Sequence, residues 1–161
     1  MQKSATAALV LVVALAMPAS AQLLARKDLS LATASAIATT AAETCKAQGY
    51  HVSVHVLGRN GETIVALRGD DASPHTWENS QRKAYTARTF RVPSAELAQR
   101  LKNDPTLSFV HLTGVIALAG GLPIKLGDET IGAVGVSGAP GGEKDEACAK
   151  AGLDKVADQL K

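Results

Sequence analysis

The features of this 161-residue chain with the types and spacing to do chemistry are four histidines, a basic helix face and one glycine-rich turn. His75 follows the loop Gly69-Asp-Asp-Ala-Ser-Pro74 and falls in the first turn of a polar predicted helix. An imidazole on such an edge is what an axial haem ligand requires. Lys83 lies eight positions further on, roughly 80° around a helix, so it and Arg82 could border the same cavity as His75. Opposite them the sequence offers Ser137-Gly-Ala-Pro-Gly-Gly142 between a strand and a helix. Free amides of Gly138, Gly141 and Gly142, aligned with the helix dipole, would cradle a carboxylate or propionate. The same residues also fit a plain strand-to-helix connection with acidic capping. His51 and His55 lie four apart on one side of a strand, too separated to share a small ion, and read as structural. His111 closes a short helix. Ser137 lacks the flanking glycine of a nucleophile elbow, and there is no phosphate-loop lysine signature and no His-Glu-x-x-His.

The elements that must position these residues follow from periodicity. Lys3, the apolar run Ala7–Ala16 and Ala19-Ser-Ala21 read as a signal peptide over residues 1–21, which implies a periplasmic or secreted protein without a membrane span after cleavage. Residues 22–161 form one domain with 16 basic and 15 acidic side chains, a balance that argues against nucleic acid as a partner. Asp28 to Gln48 spaces Leu31, Ala34, Ala38, Ala41 and Cys45 on one helix face, ended by Gly49. Strands are expected at Val52–Leu57, Thr63–Leu67, Val115–Ala119, Leu122–Leu126 and from Ile131, where Ile131, Ala133 and Gly135 share a face. Asn60-Gly61 marks a hairpin. Helices are expected from Pro74 to about Arg91, from Pro93-Ser94, and from near Glu143 with Ala147, Ala151 and Val156 inward. Short turns between neighbouring strands favour antiparallel pairing in one sheet with helices against it. Cys45 and Cys148 are either a disulfide, closing a loop of about 100 residues, or two buried thiols; both remain open.

Ile131-Gly-Ala-Val-Gly-Val-Ser-Gly-Ala-Pro-Gly-Gly142, Asp145-Glu-Ala-Cys-Ala-Lys-Ala-Gly152, Gly120-Gly-Leu-Pro-Ile124 and Lys83-Ala84 with Phe90-Arg-Val-Pro93 resemble the GlcG/HbpS-like haem-binding proteins over nearly the whole of 22–161. The resemblance implies an α+β, profilin-like or PAS-like domain with a five-stranded antiparallel sheet. It implies homo-oligomers, often hexamers or octamers, and for some members haem binding, haem breakdown or service to a sensor protein. The chain is therefore expected to be an exported haem-binding protein, with His75 on the iron and Lys83, Arg82, Gly138, Gly141 and Gly142 about the propionates. No dedicated enzyme is expected, and any haem breakdown would be slow coupled oxidation. The alternatives are an extracytoplasmic protein that binds or senses a small carboxylate such as glycolate without haem, and a purely structural oligomer.

Overall fold

A computed structural model describes residues 23–161, so the expected leader lies outside the described residues. Ten elements follow one another. They are α1 (Leu31–Ala47), β1 (Ser53–Leu57), β2 (Thr63–Arg68), α2 (Pro74–Phe90), α3 (Ser94–Asn103), a 3-10 turn (Ser108–His111), β3 (Gly121–Leu126), β4 (Glu129–Ser137), α4 (Gly142–Lys155) and a final 3-10 turn (Ala157–Gln159). The strands form one antiparallel sheet in the order β2-β1-β4-β3. Among the described residues no helix is long and apolar enough to cross a membrane.

The α+β class and the antiparallel pairing hold, but the sheet has four strands rather than five. Val115–Ala119 has no regular secondary structure and does not join it. Val115 is buried, and the backbone of this segment is satisfied by helix side chains. Arg82 donates to Val115 O at 2.8 Å, Ser94 Oγ to Leu118 O at 2.6 Å, and the Ile116 amide to Thr86 Oγ1 at 2.9 Å. An apolar run with β-branched residues reads as a strand, yet only tertiary partners decide who takes its amides.

Residue alternation splits the sheet into two faces. Val54, Val56, Val134 and Val136 pair in register and pack with Ile124 under α1 and α4, where Ala34, Ile37, Ala38, Ala41, Cys45, Cys148 and Ala149 complete an apolar core. Ser30 caps α1 by accepting the Thr33 amide at 3.1 Å. Cys45 and Cys148 form a disulfide across α1 and α4. Leu31, expected inward, is exposed, because α1 turns its Ala34, Ile37, Ala38 and Ala41 stripe rather than its first residue onto the sheet. In α4 the inward positions are Asp145, Cys148, Ala149 and Gly152 rather than Ala147. Ile131 also departs from the expected face. The β3–β4 register gains one residue there, so Ile131 turns into the α1–α4 core and away from Ala133 and Gly135.

The other face, beneath α2, is built differently. Ser53, His55, Leu57, Ala133, Gly135 and Ser137 look that way. Gly135 permits the close approach of α2, since a Cβ there would lie 2.1 Å from Ser80 O and 2.6 Å from the Ala84 nitrogen. β1 is consequently buried on both sides, not on one.

Candidate functional site

The close seating of α2 brings polar groups into the interior; several find partners there, whereas the Nε atoms of Arg82 and Arg88 are buried without one among the described residues. Ser53 Oγ and Thr76 Oγ1 are 2.8 Å apart, and His55 Nδ1 meets Ser80 Oγ at 2.8 Å. The Trp77 ring stands edge-on to the His55 imidazole with centroids 4.6 Å apart. Burial lowers the His55 pKa from 6.5 to about 4, so the ring is neutral at ordinary pH.

Lys83 sits one turn further along and is 3 % exposed. Its Nζ lies 2.7 Å from Asp145 Oδ2 and donates to Val136 O at 3.1 Å, while Asp145 Oδ1 accepts the Ala139 amide at 2.9 Å. Burial pushes the Asp145 carboxyl upward, and Lys83 and the Ala139 amide draw it back down. Lys83 therefore does face the Ser137–Gly142 turn, as expected. Its charge, however, is matched by the chain's own carboxylate.

The turn packs closely on its neighbours at several points, while Gly138 and Gly141 remain exposed. Gly138 packs on the approach to β1, since a Cβ there would fall 2.3 Å from His51 O. The Gly141 amide donates to Ala139 O at 2.8 Å, and a Cβ on Gly141 would meet the Glu143 carboxylate at 2.2 Å. Gly142 opens α4 against Ala119 O. These glycines serve close approach and left-handed turning (φ 135° at Gly138, 123° at Gly141), with acidic residues already at the helix start. Ser137 is the last residue of β4 and is buried. Arg82 is held by Val115 O and by Glu78 at 3.4 Å. His75 is exposed in the first turn of α2, so the structure does not bring it and Lys83 to one cavity. Asp145 is the partner that sequence reasoning missed. An acidic residue three positions beyond a double glycine was visible as capping, but nothing local showed that a lysine 62 residues away would reach it.

The residue best prepared to act as a ligand is His51, which the sequence marked as structural. It lines a cavity of about 360 Å³ between the end of α1 and the β2–α2 loop, together with Tyr50, Val52, Ala42, Lys46 and Arg68. Its Nδ1 is 2.9 Å from Asp70 O. A carbonyl can only accept, so Nδ1 carries the proton and the neutral ring keeps its lone pair on Nε2. Metal-bound imidazoles are oriented by such a bond on the other nitrogen. Among the described residues no three His, Cys, Asp or Glu side chains gather as a metal site of their own, so any metal would bring other ligands with it.

A four-stranded antiparallel sheet with α1 and α4 on one face and α2 on the other gives the described residues an α+β fold with a polar helix seam. A family profile described as "Haem degrading protein HbpS-like" matches residues 29–154, and the chain belongs to the HbpS-like family. It is 35 % identical over 109 residues to Protein GlcG of Escherichia coli K12, covering 68 % of this chain and 81 % of that protein. The crystal structure of HbpS superposes with a TM-score of 0.78 at 41 % identity, over 83 % of this chain and 93 % of that one. The crystal structure of a PduOC–haem complex superposes with a TM-score of 0.74 at 25 % identity, over 80 % and 95 %.

Proposed function

We propose that this is an exported, homo-oligomeric haem-binding protein whose iron ligand is an imidazole beside the Gly69–Ser73 loop. The observation that carries the reading is His51, with its tautomer fixed by Asp70 O on the wall of the 360 Å³ cavity. His75 is the second candidate, exposed where the same loop enters α2. Ala42, Tyr50 and Val52 offer apolar contact to a porphyrin, and Lys46 and Arg68 offer cations to its propionates. Lys46 is held only loosely, 3.7 Å from the exposed Asp70, and can exchange partners. Haem, when bound, would supply the redox chemistry, and these side chains would orient it. The cavity falls near the lower end of ligand pockets, roughly 300–1,000 Å³, so one chain would cover part of a porphyrin and a neighbouring subunit the remainder. The HbpS-like membership and the haem complex of PduOC support the reading. Any haem breakdown would be slow and dependent on added reductant.

Haemin titration of the wild type, His51→Ala and His75→Ala tests the assignment. Loss of the ligand imidazole is expected to shift the Soret band and weaken binding by about tenfold or more. Soret bands and affinities equal to wild type in both variants would sink it. Cleavage before Gln22 in an extracytoplasmic fraction, and a multimeric mass in light scattering, are the expected outcomes for export and assembly.

The second reading is a protein that binds or senses a small carboxylate such as glycolate without haem. Kinship with GlcG supports it only generally. A particular observation comes from the far end of α2, where Arg88 and Arg91 have no ion pair among the described residues.

A further inference from the structure

At the opposite end of the sheet from His51, Arg59, Arg88, Arg91, Asp128, Glu129 and Thr130 line a cavity of about 260 Å³. Their charges are unevenly matched. Arg59 is held by Glu129, by Asp28 at 3.2 Å and by Lys27 O at 2.5 Å. Glu62, which also faces Arg88, folds back on the hairpin and accepts the Asn60 amide at 2.9 Å. Arg88 and Arg91 have no ion pair or side-chain hydrogen bond among the described residues, and neither does Asp128, which lines the cavity with them.

Two further observations point to a guest. The Nε of Arg88 is buried and has no acceptor, an arrangement that costs stability unless something fills it. Burial first, then the neighbouring Arg91 and Arg59 charges, press the Arg88 guanidinium below its ordinary value, with Glu62 and Asp28 acting the other way. Arg91, at the end of α2, adopts a left-handed backbone (φ 61°) where glycine is the usual residue. The helix dipole favours cations at this terminus, but it rewards neither a buried unpaired Nε nor a strained arginine.

We propose that this cavity binds a small oxyanion, a carboxylate or phosphate, with Arg88 and Arg91 taking its oxygens and Asp128 accepting a hydroxyl on the neighbouring carbon. A 2-hydroxy carboxylate satisfies all three groups, and the volume suits a molecule of a few heavy atoms rather than a macrocycle. The site lies at the opposite end of the sheet from His51 and rests on the carboxylate reading. It gives the carboxylate reading a place that Lys83, locked on Asp145, does not provide.

Calorimetric titration of the full chain with glycolate, acetate and inorganic phosphate, against chloride at matched ionic strength, is the test. Glycolate should bind more tightly than acetate, and Arg88→Gln should weaken it by about tenfold. Asp128→Asn should narrow the preference for glycolate over acetate. Arg91→Gly separates binding from folding: relief of the left-handed strain should raise its melting temperature while anion affinity falls. Haemin that competes with glycolate, both being lost in Arg88→Gln, would identify the oxyanion as a porphyrin propionate; binding of glycolate without competition would identify a free acid, and both support the site. A wild type that responds to no anion beyond chloride overturns the proposal together with the carboxylate reading. A wild type that binds glycolate with Arg88→Gln and Arg91→Gly unaffected overturns the site alone.

Discussion

The two faces of the sheet solve the same packing problem by different physics. Under α1 and α4 the contact is made by valine, isoleucine and alanine, joined by the Cys45–Cys148 disulfide. Under α2 it is made by Ser53 on Thr76, His55 on Ser80 and Lys83 on Val136 O, with Lys83 also paired to Asp145 of α4, around a small apolar patch of Leu57, Ala84, Ala87 and Ala133. Apolar burial is non-directional and rewards filled volume. Buried hydrogen bonds and ion pairs reward one register, because a shifted helix would leave each group unpaired. The first face thus holds the domain together. The second fixes where α2 begins and ends, hence where His75 and the loop against His51 emerge and where Arg88 and Arg91 are presented.

The contrast can be broken most strongly at the disulfide. Its two residues are 103 apart in sequence, and a loop of that size corresponds to about 4–5 kcal/mol of chain entropy. Urea unfolding of Cys45→Ala/Cys148→Ala should show a loss of this order while ligand titrations at either end of α2 are unchanged. A loss below about 1 kcal/mol would mean that the apolar face needs no cross-link.

Next in size is the buried ion pair. Asp145→Ala leaves the Lys83 ammonium without its anion and the Ala139 amide without an acceptor, and should cost about 3–5 kcal/mol. Lys83→Met combined with Asp145→Leu removes both charges and should recover most of that loss in stability. If the pair sets the register of α2, the double variant will still bind anion or haem more weakly than the wild type. Full recovery of both would show that the pair fixes nothing.

His55 gives the smallest effect and the sharpest one. Its folded pKa of about 4 lies below the unfolded value of 6.5, so the neutral ring contributes stability that is complete above about pH 6.5 and is lost as the pH falls toward 4. The shift corresponds to about 3 kcal/mol at most. Denaturant midpoints between pH 7 and 4 should fall more steeply in the wild type than in His55→Gln, which keeps a partner for Ser80 but does not titrate. Equal slopes would remove His55 as the source.

Much of the architecture was legible locally. The small-residue stripe of α1, the glycine that ends it, the hairpin at Asn60-Gly61 and the proline that opens α2 are all short-range signals, and each element appears where they place it. Val115–Ala119 was not legible, because its strand-like residues are satisfied by Arg82, Thr86 and Ser94 rather than by a neighbouring strand. The extra residue at Ile131 likewise changed which face a side chain meets, and no local pattern announces a bulge.

For the candidate site the division runs along the same line. Residue types and their spacing were enough to make α2 polar and to turn Lys83 toward the glycine turn, and the glycine-rich motifs carried the GlcG/HbpS-like resemblance. Long-range packing alone established that Lys83 meets Asp145 there, that the Ala139 and Gly141 amides of the turn already have acceptors, and that His51 rather than Lys83 shares a cavity with cations. The physical reason is range. Helix and turn preferences act within a few residues, whereas the partner of a buried charge is set by which distant segment the fold brings within about 3 Å of it.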